Sequence, residues 1–532
     1  MQITLRNPAF RTTLTWITRK PALRWPLSGL QMAALAILGV VLLPVAYLVM
    51  RALGAGTEGV AYLLDARTLG VVGNSLALTA AVVLSSALIG VPFAWLTART
   101  NLPLRRLWLI SGLLTLVIPS YIGALTYIAA FGPQGMLAKA LGAQLPPIYG
   151  FFGAWLAITL FTYPVVALPA RAALLNMDPA LEDAARSLGL SRWQVFWRVT
   201  LPQLRPALAA GLLLSALYTL SDFGAVSLMR YDAFTRVIHM QYTSSFDRSR
   251  AAVLAVVLVM LTIALLILSR CAASRNYRVG TCTQRPMRPV ELGRWRIPAL
   301  IFCALLAGIG LVTPLAVLAS WVGQGAHAPA PEIMQPMLNT VGVSGLTALV
   351  VGLAAMPLAL LAARSSSRAN QQLYRLSHLG YGLPGLVIAL ALVFFAANFL
   401  PGLYQTLPIL IVGYAVRFLP LSVGATRSAL SQINPRIEEA ARSLGLSSWQ
   451  ITVRITAPLA RAGILGGMAL VFLNAMKELP TTLLLSPTGF ETFATQIWTA
   501  KTEINFAQIG IPALLLVAAS ALSLSLILKQ ER

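Results

Sequence analysis

Two carboxylates stand at corresponding places in this chain. Asp222 and Glu478 lie 256 positions apart (478 minus 222), each within an otherwise apolar stretch, with Lys477 beside the second and Arg417 in a neighbouring apolar run. Ionisable groups in such surroundings are expensive and face either a cavity or a partner. Carboxylate oxygens that line a passage would suit a hard cation. Alternatively, Lys477 or Arg417 neutralises one or both acids inside a helix bundle, with no role in binding. A third reading puts the acids at the mouth of the passage, against another protein. His239, His327 and His378 stand alone and share no helical face with an acid, so they are assigned no metal role. Cys271, Cys282 and Cys303 form neither a disulfide framework nor a metal set. No Gly-x4-Gly-Lys-Ser/Thr loop is present to cradle nucleotide phosphates.

The elements that hold these residues follow from composition. Of 532 residues, 58% are hydrophobic and 11% charged, whereas a soluble domain wets its surface with roughly a quarter of its residues charged. A bilayer core about 30 Å thick asks for about 20 apolar residues per helix. Twelve such runs are predicted, near 31–50, 74–97, 107–130, 149–168, 206–229, 251–269, 297–321, 339–362, 376–399, 407–424, 462–484 and 506–528. Asp222 and Glu478 then fall on the fifth and eleventh.

The formal net charge of +24 sorts by loop. With the N-terminus inside, inside segments hold 30 of the 40 Lys and Arg, outside segments 8, and the runs themselves 2, Arg417 and Lys477. The bias places both termini in the cytoplasm, with basic residues meeting anionic lipid headgroups; no nucleic-acid partner is needed. Residues 1–30, with Arg6, Arg11, Arg19, Lys20 and Arg24, read as a retained cytoplasmic tail, since no small-residue cleavage site follows Met50.

The chain repeats itself. Residues 179–208, PALEDAARSLGLSRWQVFWRVTLPQLRPAL, align without a gap to 435–464, PRIEEAARSLGLSSWQITVRITAPLARAGI. Asn74-Ser75-Leu76 is echoed by Asn339-Thr340-Val341. Six helices repeat once, which predicts domains at 31–269 and 297–532, a basic cytoplasmic linker at 270–296, and a pseudo-two-fold axis along the membrane normal. The 256-residue offset also matches Asp232 and Phe234 with Thr488 and Phe490 in outer turns.

Each repeated segment lies between the fourth and fifth helix of its half and follows acid-Ala-Ala-x3-Gly-x9-[Ile/Val]-x-x-Pro. The pattern suits a docking hairpin: Pro179 or Pro435 starts a short Ala-rich helix, and a Gly turns the chain through φ > 0 before a second helix. It resembles the EAA loop of ATP-binding-cassette importer permeases, carried by Asp183, Ala184, Ala185, Gly189, Val199 and Pro202, and by Glu439, Ala440, Ala441, Gly445, Ile455 and Pro458. The first copy departs in having Asp for Glu. The resemblance implies an all-α polytopic membrane protein of about 12 transmembrane helices, built as two tandem six-helix type I permease domains in a bacterial inner membrane. It further implies that the loops sit in clefts of a separate ATPase, in two copies, and that a periplasmic substrate-binding protein delivers the solute. This chain would bind no cofactor and perform no catalysis, ATP being used by the partner.

The stretches LSDFGAVSLMRYDAFTRVIHMQY at 220–242 and MKELPTTLLLSPTGFETFATQIW at 476–498 are similar to ferric-iron permeases, with thiamine permeases as neighbours. That implies Fe(III) as substrate, with thiamine or another small solute as alternative. Tyr218, Phe223 and Phe472 would suit a cationic ring as Asp222 and Glu478 would suit a metal. An ion-coupled secondary transporter also uses repeats and buried acids, but leaves the paired loops unexplained. A lipid-processing membrane enzyme would need clustered catalytic groups at one membrane face, and none is seen.

Overall fold

Apolar stretches without a competing polar ladder satisfy their backbone internally, and in this protein all twelve become helix. The computed structural model describes residues 27–243, 248–273, 289–324, 330–365, 367–503 and 505–530. Among the described residues, eight helices are long and apolar enough to cross a membrane, including Gly29–Leu53, Ala66–Arg99, Phe151–Leu175, Trp193–Ser221 and Leu407–Gln432. Two further runs are bent pairs, Arg105–Thr115 with Ser120–Leu141 at 102° and Ser448–Leu459 with Arg461–Met476 at 75°. The ninth run holds a shorter apolar helix, Gly385–Phe399, and the twelfth the helix Ala507–Gln530. The third, ninth and eleventh runs are interrupted, and none of the twelve is missing among the described residues.

Proline causes the first kind of interruption. Pro119 and Pro384 each sit with extended ψ just before a helix restarts, at Ser120 and Gly385. Proline disfavours the α region for the residue before it and offers no N–H, so a helix readily ends and begins again there, whereas Pro92 and Pro164 lie inside unbroken helices. The second kind was not foreseen. The fifth and eleventh runs do not continue to 229 and 484 but stop at Ser221 and Met476, and short helices Gly224–Leu228 and Pro480–Leu485 follow.

Packing divides the chain into two compact units that cut across the sequence halves. One comprises the chain up to Leu42, Ala348–Tyr381 and Phe418–Val471; the other holds Leu43–Thr347, Gly382–Arg417 and Phe472–Arg532. In the first, Ala359, Leu360, Leu430 and Ala460 form a buried cluster with Leu30, Met356 and Ile464 around it, and Gln31 donates to Asn370 at 3.0 Å. In the second, the long helix Ala66–Arg99 lies along Phe151–Leu175, with Phe93 and Tyr163 edge to face at 5.6 Å. The outer sides of its helices are apolar: Leu84, Leu88, Met260 and Ile297 are each more than half exposed, as a lipid-facing surface requires.

Candidate functional sites: the duplicated loop helices and two buried carboxylates

The first loop helix spans Pro179–Ser187 and the second Pro435–Ser443. Each begins with a side-chain cap: Ala180 N–H donates to Asp178 Oδ1 at 2.9 Å, and Arg436 N–H to Asn434 Oδ1 at 3.1 Å. Such caps satisfy donors that a helix start leaves orphaned. Each ends in the same reverse turn. Leu190 N–H reaches Ala185 O and Gly189 N–H reaches Arg186 O; Leu446 and Gly445 repeat this onto Ala441 and Arg442. That pair of bonds is the Schellman motif, which requires a left-handed residue at its glycine. Gly189 and Gly445 both have φ of +84°.

The motif residues divide between two faces. Ala185 and Ala441 are buried, while Ala184, Ala440 and Asp183 are exposed and Glu439 is half-buried. The Asp183 carboxylate lies 3.7 Å from Arg186 of its own helix. Leu188 and Leu444 are each 83% exposed, and Trp193 and Trp449 lie largely in the open as well, an unusual display of apolar side chains. Beyond them the chain passes through five-residue π turns, Phe196–Thr200 and Thr452–Thr456, just before Pro202 and Pro458. Proline removes a donor from the preceding turn, and the wider turn takes its last N–H, from Leu201 or Ala457, back five residues.

Sequence reasoning missed the acid one position earlier. Glu182 accepts from Arg99 Nη2 at 3.2 Å and from the Thr200 hydroxyl at 2.9 Å. Glu438 accepts from Arg364 Nε at 3.1 Å on both its oxygens, from Nη2 at 3.0 Å, and from the Thr456 hydroxyl at 3.1 Å. The signal was present: Arg99 and Arg364 are 265 positions apart, the offset of the Asn74 and Asn339 echo, and Glu182 and Thr200 recur at the 256 offset.

Asp222 and Glu478 occupy equivalent helix breaks. The Asp222 carboxylate accepts from Ala225 N–H at 2.9 Å and Val226 N–H at 3.4 Å, capping Gly224–Leu228, and from the Ser120 hydroxyl. Glu478 accepts from Thr481 N–H at 3.4 Å and its hydroxyl at 2.7 Å, capping Pro480–Leu485, and from Arg417 Nη1 at 2.6 Å. Ser120 and Gly385, 265 apart, explain the difference. A side chain at Gly385 would run into the Arg417 guanidinium and the Glu478 carboxylate, so its absence admits the arginine. Lys477 takes no part and donates to Leu116 O at 3.3 Å.

The duplicated geometry is matched by the comparisons. A family described as the inner membrane component of binding-protein-dependent transport systems matches residues 90–270 and again 355–529. The chain belongs to this family. The Fe(3+)-transport system permease protein FbpB 2 of Haemophilus influenzae is 30% identical over 92% of this chain and 95% of its own length. The ferric transport system permease protein FbpB of Actinobacillus pleuropneumoniae is 25% identical over 76% and 63%. The molybdenum transport system permease protein ModB of Haemophilus influenzae, 36% identical, matches 29% of this chain but 69% of itself. One repeat here therefore corresponds to most of a whole permease there.

The remaining predicted residues of this tandem permease take other places. His239 packs on the Phe223 ring at 4.8 Å, and His378 Nδ1 lies 2.9 Å from Tyr374 O. His327 and Cys282 lie outside the described residues, among which no group of three His, Cys, Asp or Glu is placed to hold a metal ion. The outer-turn register is corrected by three residues. Asn74 Nδ2 donates to Asp232 O at 3.2 Å and Asn339 Nδ2 to Glu491 O at 2.9 Å, while Ser75 and Thr340 accept from the N–H groups of Phe234 and Phe493. Phe234 and Phe493, both buried, thus correspond, and Phe490 does not.

Proposed function

We propose that the chain is the membrane subunit of an Fe(III) importer, carrying iron from periplasm to cytoplasm with energy from a separate ATPase. The observation that carries the substrate is the likeness, along nearly the whole chain, to a relative named for Fe(3+) transport. The twofold family match supports permease domains at 31–269 and 297–532 joined by the 270–296 linker. The charge bias supports cytoplasmic termini and loops.

Two ATPase copies dock, one on each loop helix, through Asp183, Ala184 and Gly189 with Pro202 behind them, and through Glu439, Ala440 and Gly445 with Pro458. Ala185 and Ala441 pack each loop helix onto its own unit. A periplasmic binding protein delivers the iron. ATP binding closes the ATPase pair and biases one of two membrane states, while the loaded binding protein favours the other.

Asp222 accepts from helix-cap and hydroxyl donors on both of its oxygens, and Glu478 gathers its helix-cap, hydroxyl and guanidinium donors on Oε1. We infer that they and Arg417 fix the breaks in the pathway helices rather than ligate iron, with Lys477 beside them. Labelled Fe(III) uptake in proteoliposomes with the matching subunits tests the whole. Wild-type uptake, abolished by Asp183→Lys/Glu439→Lys together with ATPase binding, is the expected result; a wild type that carries another solute but not iron overturns the substrate.

A further inference from the structure

The acids that precede the loop motif, Glu182 and Glu438, have little or no surface to offer a partner. Glu438 is fully buried with Arg364 6% exposed, and Glu182 is 14% exposed with Arg99 at 6%. Each arginine is the last residue of a long helix, of 34 residues in one half and 35 in the other. Each threonine stands on the π turn that leads back to the membrane. One carboxylate thus joins three chain segments: the end of a long helix, the loop helix, and the start of the next helix. The arrangement is built twice with the same three residue types, although the chain between arginine and glutamate is nine residues shorter in the second copy (83 against 74 positions).

We propose that these Arg-Glu-Thr clamps, Arg99-Glu182-Thr200 and Arg364-Glu438-Thr456, are the positioning residues of coupling: they make each loop helix rigid with its long helix, so that displacement of the loop by the ATPase moves the membrane helix. A buried ion pair gains little net stability over apolar packing, so its worth lies in holding one geometry. The outer face of each loop helix is solvent-exposed and its glycine turn is a potential hinge, so the buried clamp on the inner face fastens it to the bundle. The long-helix ends are themselves held. Asn101 N–H donates to Val290 O at 3.1 Å and Val290 N–H to Arg99 O at 2.7 Å, while Gln371 Nε2 reaches Ala362 O at 3.1 Å. The clamp therefore transmits force to a fixed point rather than to a fraying terminus.

The proposal rests on the importer reading, and its test separates the two. Glu182→Gln, Glu438→Gln and Thr456→Val are compared with wild type in the full complex with ATPase and binding protein. Co-purification of ATPase, ATP hydrolysis and uptake per ATP hydrolysed are all measured. Docking should survive within about twofold, while uptake per ATP falls about tenfold in Glu438→Gln, toward the lower end of the range for coupling between sites. Thr456→Val, which keeps the ion pair, should show a smaller fall in the same ratio, and Glu438→Asp should recover part of it. Unchanged uptake per ATP in properly inserted Glu438→Gln overturns the clamp, as does a loss of ATPase binding that accounts for the whole defect. Failure of wild-type iron uptake would instead strike the substrate, since binding-protein-stimulated ATP hydrolysis still reads the clamp.

Discussion

Replacing Arg417 by Met removes the cationic partner of Glu478 while keeping the length of the side chain. The two groups meet at 2.6 Å with 18% and 7% of their side chains exposed. Unit charges about 4 Å apart at the effective dielectric of such sites attract by about 4 kcal/mol. Breaking a buried pair from one side typically costs about 3–5 kcal/mol, because the remaining charge stays uncompensated. Thr481 still donates through its backbone and hydroxyl, so the loss should fall near the lower end, about 3 kcal/mol. The double variant Arg417→Met/Glu478→Gln removes both charges and should recover most of that. Denaturant unfolding of the purified protein in one detergent, analysed as a double-mutant cycle, gives the coupling. If Arg417→Met costs less than about 1 kcal/mol, or the double variant is as unstable as the single, the pair does not hold the helix break.

Other outcomes follow from the same geometry. Asp222→Asn keeps the cap on Ala225 and has only the Ser120 contact to rearrange, so it should cost about 1 kcal/mol in the same unfolding assay, well below Arg417→Met. Gly385→Ser should destabilise strongly by displacing the Arg417 guanidinium, whereas Ser120→Gly should be mild. Gly189→Ala and Gly445→Ala force alanine to φ of +84°, costing about 1–2 kcal/mol per turn and weakening ATPase co-purification. His239, on the short helix Phe234–Thr243, has its pKa pushed by burial from the usual 6.5 down to about 4. Its folded form resists protonation, so its contribution is fully present above pH 6.5 and is lost as pH falls toward 4. His239→Gln should flatten that part of the stability profile.

The sequence by itself determined the helices, the duplication and the form of the loop hairpins. Apolar length dictates a helix wherever the backbone must satisfy itself in lipid, and Pro179, Pro435, Gly189 and Gly445 act through local backbone geometry alone. Tertiary structure decided which polar groups meet. Glu182 and Asp183 are adjacent acids, and the positions of Arg99, 83 residues away, and Thr200 hold one inward while the other stays in solvent. Arg417 rather than Lys477 pairs with Glu478 because Gly385, from a third segment, leaves the space. The breaks after Ser221 and Met476 read as continuous apolar helix, since the carboxylates that cap the new helices were legible only as charges. Even the outer-turn register, fixed by Asn74 and Asn339, lies three residues from the sequence offset, because hydrogen bonds between distant segments, not spacing along the chain, set the equivalence.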